Sequence, residues 1–179
     1  MSRSLPLVVV IPGIGGSELA DASGTIVYRA GLGSLLSVGR DPSALDPNNE
    51  LRPVGLIGPC SLICWQFITG YDGLLSGITK GLRLSPGRVV TAGEDLVDRD
   101  ATVVAFPYDF RRSVEQIAND LDRVVRERAQ GRHVVLVAHS MGGLVAAWWW
   151  AFMSEGIDVD QIITLGTPFR GAAKALDVL

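Results

Sequence analysis

Short runs of aliphatic and β-branched residues alternate along the chain with longer stretches of helical period, the pattern of parallel strands joined by crossover helices. Leu7–Ile11 is predicted as the first buried strand. Thr102–Phe106, closed by Pro107, is predicted as the second, Val134–Ala138 as the third, and Gln161–Leu165, ended by Gly166 and Pro168, as the fourth. Between the second and third, Ser113 and Gln116 have the spacing of a capping box, and Val114, Ile117, Leu121, Val124 and Val125 fall on one face of a helix that ends at Gly131. A further helix is expected from about Met141 to Glu155, stopping at Gly156. It is uncharged for most of its length, which predicts burial between the sheet and its neighbours. The region from about Ala20 to Asp100 differs, being rich in Gly, Pro and Ser with weak periodicity, and reads as a long excursion from the sheet rather than a linker. There is no internal repeat. The expected class is α/β, a mostly parallel sheet flanked by helices on both faces, within one domain over residues 1–179.

Composition narrows the functions open to such a domain. A chain of 179 residues with 47% hydrophobic composition can bury a core, which excludes intrinsic disorder. The net charge of -3 leaves no basic field to gather nucleic acid or anionic lipid. Two cysteines, Cys60 and Cys64, and two histidines are too few for a disulfide framework or a structural zinc site, so no metal or cofactor is expected. The favoured state of the cysteines is two unconnected buried thiols, with a short disulfide loop as the alternative. The N-terminus lacks a small-residue cleavage site and is read as carrying no signal peptide. Pro53–Tyr71 and His133–Ser154 approach the roughly 20 residues that a membrane span needs, but glycines and a proline interrupt them. A cytoplasmic protein is expected, with at most peripheral membrane contact.

The chemistry is concentrated where the third strand runs into Ala138-His139-Ser140-Met141-Gly142-Gly143 and then a helix. A serine hydroxyl becomes a useful nucleophile when a sharp strand-to-helix turn presents it above the sheet, and small residues two before and two after it, here Ala138 and Gly142, let that turn close. Ser140 is therefore the candidate nucleophile, against the plainer reading of a serine in any Gly-rich turn. The backbone N–H of Met141, at the start of the helix, points to where negative charge would grow on a substrate carbonyl. A second donor is assigned to the N–H of Ile14 in the loop Pro12-Gly13-Ile14-Gly15-Gly16-Ser17, with Gly13 shaping the approach. The same loop does not suit phosphate. A P-loop needs Lys after its last glycine, where Ser17 stands, and the third glycine of a dinucleotide fingerprint is replaced by Glu18.

Four blocks together resemble the lecithin:cholesterol acyltransferase family of α/β-hydrolases. They are Val10-Ile11-Pro12-Gly13 with Gly16-Ser17-Glu18-Leu19, then Phe106-Pro107-Tyr108-Asp109-Phe110-Arg111, the turn from Ala138 to Gly143, and Thr164-Leu165-Gly166-Thr167-Pro168 with Gly171. The resemblance implies a serine enzyme that takes an acyl group from a lipid ester through an acyl-serine and passes it to water or an alcohol. It also implies Ile14 and Met141 as oxyanion donors, and a hydrophobic lid in the segment Val54–Tyr71, where Leu62, Trp65 and Phe67 are the candidate lipid-facing residues. By composition alone that segment reads as an ordinary buried insert.

Several residues attract a functional reading that the pattern does not favour. Trp148, Trp149 and Trp150 are consecutive, so on a helix they cannot make one stacking platform. Asp109, beside Arg111 and Arg112, is expected to cap the next helix or pair with an arginine rather than to act as the catalytic acid. His139 should leave its strand on the side opposite Ser140, and His133 lies roughly 20 Å away at about 3.3 Å per residue. Asp177 is the acid that follows the fourth strand, with no base to orient. In this fold the acid and base follow the serine, so the chain is read as the N-terminal part of a hydrolase whose C-terminal portion would be its partner, with the outer edge of the fourth strand left exposed. The competing readings are a soluble carboxylesterase and a non-catalytic lipid-binding or interaction module.

Overall fold

The computed structural model describes residues 5–29, 42–58, 70–84, 89–92 and 101–171. In chain order the elements are β1 (Leu7–Ile11), β2 (Ser17–Ala20), β3 (Ile26–Tyr28), β4 (Arg52–Leu56), α1 (Asp72–Gly81), β5 (Val89–Thr91), β6 (Val103–Ala105), α2 (Val114–Ala129), β7 (Val134–His139), α3 (Met141–Phe152) and β8 (Val159–Leu165), with a short 3-10 turn at Pro42–Leu45. Five strands form a parallel sheet in the order β5-β6-β1-β7-β8. The chain therefore lays strands on both sides of β1, and ligand crevices in such sheets open at the carboxyl ends of strands beside such a reversal.

Strand alternation assigns each side chain of β1 to one of two layers. Leu7, Val9 and Ile11 pack with Leu136, Ala138 and Val104 against Ile117, Leu121 and Val125 of α2 and Val145, Ala146 and Trp149 of α3. Val8 and Val10 face the other way, where Val103, Val137, Ile57 and Tyr71 are buried beside Leu74, Leu75 and Ile78 of α1. Every residue of β1 is buried, because helices cover both faces. The expected α/β class with helices on both faces is what the fold shows.

The predicted boundaries hold most closely where local chemistry is explicit. Ser113 caps α2 and both capping-box bonds are made, Gln116 N to Ser113 Oγ and Ser113 N to Gln116 Oε1, each 3.2 Å. The helix ends at Ala129, two residues before the expected glycine, with Gln130 itself left-handed at φ 46 and Gly131 following at φ 79. Thr102–Phe106 contracts to Val103–Ala105, and Gln161–Leu165 extends back to Val159.

Two expectations need correction. The helix after Ser140 stops at Phe152 rather than Glu155: Met153 leaves helical geometry at φ -130, the Ser154 hydroxyl bonds Trp150 O at 2.7 Å, and Gly156 turns at φ 80. Nor is that helix buried all round, since Trp150 is 59% and Phe152 69% exposed while Trp149 is fully enclosed. The uncharged sequence hid a one-sided helix. The excursion, too, is more ordered than its weak periodicity suggested. It contains α1, an antiparallel sheet β3-β2-β4 interrupted by register shifts in both pairings, and β5, which returns to the main sheet within the expected excursion. At the other edge β8 carries partly exposed Ile163 and Leu165, as expected for an outer strand.

Candidate active site

Ser140 sits between β7 and α3 at φ 49 and ψ -120, a conformation that an L-residue adopts at a cost of about 1–3 kcal/mol and keeps only where the surroundings dictate it. The surroundings here are specific. Ser140 N donates to Leu165 O of β8 at 2.8 Å, and Ser140 O accepts from Gly143 N at 3.0 Å. Ala138, fully buried, lies level with Ile11 and Thr164 in the sheet. A Cβ on Gly142 would fall on the Pro12 carbonyl oxygen and within 2.8 Å of Ile11 O, and one on Gly143 would collide with the Thr167 hydroxyl. The helix start is thus pressed against the end of β1, which only a glycine at 142 allows.

That close approach brings the loop after β1 to the serine. A Cβ on Gly13 would stand 3.0 Å from both Ser140 Cβ and His139 Nδ1. Gly16 N donates to Gly13 O at 3.0 Å and Gly15 has φ 68, so residues 13–16 form a type II turn with Ile14 at its second position. Because the Gly13 carbonyl is taken up inside the turn, the N–H on the same peptide, that of Ile14, is directed outward. Among the described residues the N–H groups of Ile14 and Met141 have no hydrogen-bond partner.

The chain has three tyrosines, and all three bond this loop. Tyr108 donates to Pro12 O at 2.8 Å, while Gly13 N–H, on the same peptide plane, donates to the Tyr71 hydroxyl at 2.8 Å. Two phenols hold one peptide from opposite sides. Tyr28 donates to Gly15 O at 3.3 Å, and Tyr108 N donates to the buried Ser17 hydroxyl at 2.9 Å. Burial raises the pKa of all three phenols above the ordinary tyrosine value, partly offset at Tyr71 by the Gly13 N–H, so each remains a neutral hydroxyl. Tyr108 stands in the Phe106–Arg111 block of the resemblance, but nothing in the sequence had marked these three contacts.

A cleft of about 600 Å³ opens beside the turn, lined by Ile14, Tyr28, Ile57, Tyr71, Leu74, His139 and Leu165 among others. His139 Nδ1 lies 2.8 Å from the Tyr71 hydroxyl, on the α1 side of the sheet as alternation from Val135 and Val137 requires. His133 pairs with Asp158 at 2.7 Å, at the opposite end of β7. Among the described residues the Ser140 hydroxyl has no hydrogen-bond partner, from either histidine or any other group. Asp109 takes the arginine-pairing alternative: burial works to raise its pKa, but the hydrogen bonds and charge of Arg111, 2.7 Å away, outweigh it and hold the carboxyl below its ordinary value. Arg111 in turn donates to Asp46 O and Asn49 O, fastening the turn before β4 to the block after β6.

The structure thus gathers Gly13, Ile14, Ala138, Ser140, Met141 and Gly142 at one carboxyl edge of the sheet. The lid candidates Leu62, Trp65 and Phe67 lie outside the described residues, as do Cys60, Cys64 and Asp177. The flanks of that segment are described, and Ile57, Gly70 and Tyr71 line the cleft. Among the described residues no group of three His, Cys, Asp or Glu side chains is placed to hold a metal ion, and no helix is long and apolar enough to cross a membrane.

A parallel sheet covered on both faces, with a strained serine turn leading from a strand into a helix, defines an α/β-hydrolase-like fold. Residues 91–179 match the family model of lecithin:cholesterol acyltransferase, and the chain belongs to that family. A phospholipase A(1) LCAT3 of Arabidopsis thaliana is 32% identical over 86 residues, an alignment that takes in 44% of this chain and 19% of that protein. The chain therefore spans about a fifth of the length of this curated relative. No solved structure matches the chain.

Proposed function

We propose that this chain carries the nucleophile and oxyanion side of a serine lipid acyltransferase or lipase. The observation that carries the proposal is Ser140, held at positive φ against Gly13, with the unpartnered N–H groups of Ile14 and Met141 on the two elements that meet there. In this reaction Ser140 Oγ attacks the ester carbonyl carbon as its proton passes to a base, and the carbonyl electron pair moves onto oxygen. The two N–H groups stabilise that oxyanion. Its collapse re-forms the carbonyl, breaks the bond to the alcohol oxygen, and returns a proton to the leaving alcohol. Water or a second alcohol then takes the acyl group from the serine by the reverse sequence. The family and the phospholipase relative support a lipid acyl ester as the donor. The segment 54–71, whose flanks line the cleft, is proposed as the lid that meets the lipid, with peripheral membrane contact made there through Leu62, Trp65 and Phe67.

Neither histidine is bonded to Ser140, so the base and its acid are proposed to come from outside residues 1–179, and these residues alone to turn over poorly. Labelling by a serine-directed organophosphonate tests the reading. In the protein complete with its base and acid, the wild type should label and Ser140→Ala should not. Equal labelling of the variant would overturn the nucleophile assignment, and no labelling of either would favour a non-catalytic lipid-binding or interaction module.

A further inference from the structure

The loop that carries Ile14 is tied to the flanks of segment 58–70 at two points. Ile57 N donates to Gly16 O at 3.1 Å, and Gly13 N donates to the Tyr71 hydroxyl at 2.8 Å. The flanks are themselves joined, Tyr71 N to Ile57 O at 3.2 Å. Tyr71 is buried, and its hydroxyl also meets His139 Nδ1, the ring of the residue next to Ser140. With the phenol oxygen accepting from Gly13 N–H, its own proton is free for His139 Nδ1, its one remaining partner among the described residues. This pattern assigns the neutral Nε2–H tautomer to His139.

We propose that Tyr71 is a positioning residue that sets the oxyanion loop against the nucleophile turn, using one hydroxyl to join Gly13 N–H to His139 Nδ1. The proposal rests on the reading of Ser140 as nucleophile. It goes beyond that reading by giving a role to a side chain that touches no reacting atom. The orientation of the Pro12–Gly13 peptide determines where the next peptide, bearing Ile14 N–H, points. Tyr108 holds the carbonyl end of that plane and Tyr71 its N–H end, so loss of the Tyr71 hydroxyl leaves Gly13 N–H buried without a partner and the plane held from one side only. His139 is the anchor on the serine side. An asparagine there can offer an amide oxygen near the place of Nδ1, whereas an alanine cannot.

The test uses the protein complete with the portion that supplies the base and acid. Tyr71→Phe should slow phosphonate labelling of Ser140 about three- to tenfold, the usual worth of one neutral hydrogen bond, and speed amide exchange at Gly13 by a similar factor. Nitrogen NMR of the imidazole should show unprotonated Nδ1 in the wild type and a mixed tautomer in Tyr71→Phe. His139→Ala should slow labelling comparably, His139→Asn should recover most of the loss, and the double variant Tyr71→Phe/His139→Ala should be little slower than either single one. Labelling and Gly13 exchange unchanged in Tyr71→Phe would overturn the proposal while leaving Ser140 as nucleophile. Faster exchange with unchanged labelling would overturn it as well, since the bridge would then be structural only. Failure of the complete wild-type protein to label would instead refute the Ser140 reading, and with it the purpose assigned to Tyr71. Should Tyr71→Phe fail to fold, the contrast between His139→Asn and His139→Ala decides the matter: equal labelling of the two would overturn the bridge.

Discussion

Replacing Gly142 by alanine sets two well-measured effects against each other. Alanine within a helix is favoured over glycine by about 1 kcal/mol, so propensity alone predicts a more stable protein. At this position the new methyl would fall on the Pro12 carbonyl oxygen and within 2.8 Å of both Ile11 O and Ile11 Cγ2, and two of these three are backbone atoms of a strand end held by β6 and β7. Relief requires α3 to move away from β1. Overpacking of this kind costs about 1–3 kcal/mol, and more where backbone must shift, so the net expectation is a loss of about 1–2 kcal/mol. In a urea titration followed by tryptophan fluorescence that is a midpoint lowered by roughly 1 M. Phosphonate labelling should fall further than stability does, because the same shift carries Ser140 and Met141 away from the loop after β1. Gly77→Ala is the control: it lies within α1, nothing stands within 4 Å of its added Cβ, and it should stabilise the protein by about 0.5–1 kcal/mol. A Gly142→Ala protein as stable as wild type and labelled at the same rate would refute the close-approach argument.

Other expectations follow from the same geometry. Ile14→Pro removes the N–H of the second residue of a type II turn, a position that favours proline, so it should fold normally yet label about a hundredfold more slowly, in line with about 3 kcal/mol for one oxyanion donor; an unchanged rate would remove Ile14 from the site. Asp109→Asn breaks the pair with Arg111 and should cost about 3 kcal/mol at neutral pH by chemical denaturation. Because the folded-state pKa of Asp109 is depressed, its contribution is present above the unfolded value and lost as pH falls through the folded one, so the difference between variant and wild type should shrink in acid; a pH-independent difference would contradict this. Assayed alone on a short p-nitrophenyl ester, the chain should show negligible turnover, and turnover like that of an intact esterase, abolished by Ser140→Ala, would mean that a base lies within it. Anionic and neutral vesicles should both blue-shift the fluorescence attributable to Trp65, taken as the difference from Trp65→Phe, if segment 54–71 meets lipid; no shift with either would return it to an ordinary insert.

What could be read from the sequence followed the range of the interactions involved. Leu7–Ile11 was legible because five consecutive apolar residues can be satisfied only by burial on both faces, and Ser113 with Gln116 because a capping box is complete within four residues. The turn at Ser140 was legible for the same reason, its strand, small residues and helix being contiguous. The tyrosine contacts were not, since Tyr71 meets a backbone group 58 residues away and Tyr108 one 96 residues away, and nothing local to either marks its partner. In the excursion, β2 and β4 pair through register shifts and Pro53 and Gly55 stand in β4, so no period of two survives along the sequence. The helix after Ser140 misled in the other direction. Its uncharged residues describe a helix enclosed on all sides, whereas Trp148, Trp150 and Phe152 are exposed on either side of Trp149, which faces the core.

The central claim is that Ser140 and the N–H groups of Ile14 and Met141 act on one carbonyl. A crystal structure of the phosphonate adduct of this chain tests that claim most directly, because the phosphonyl oxygen stands in for the oxyanion of the tetrahedral intermediate. The account predicts phosphorus bonded to Ser140 Oγ, with its oxygen accepting from both Ile14 N–H and Met141 N–H at about 2.7–3.1 Å. An adduct on another residue, or a phosphonyl oxygen directed away from both N–H groups, would contradict it.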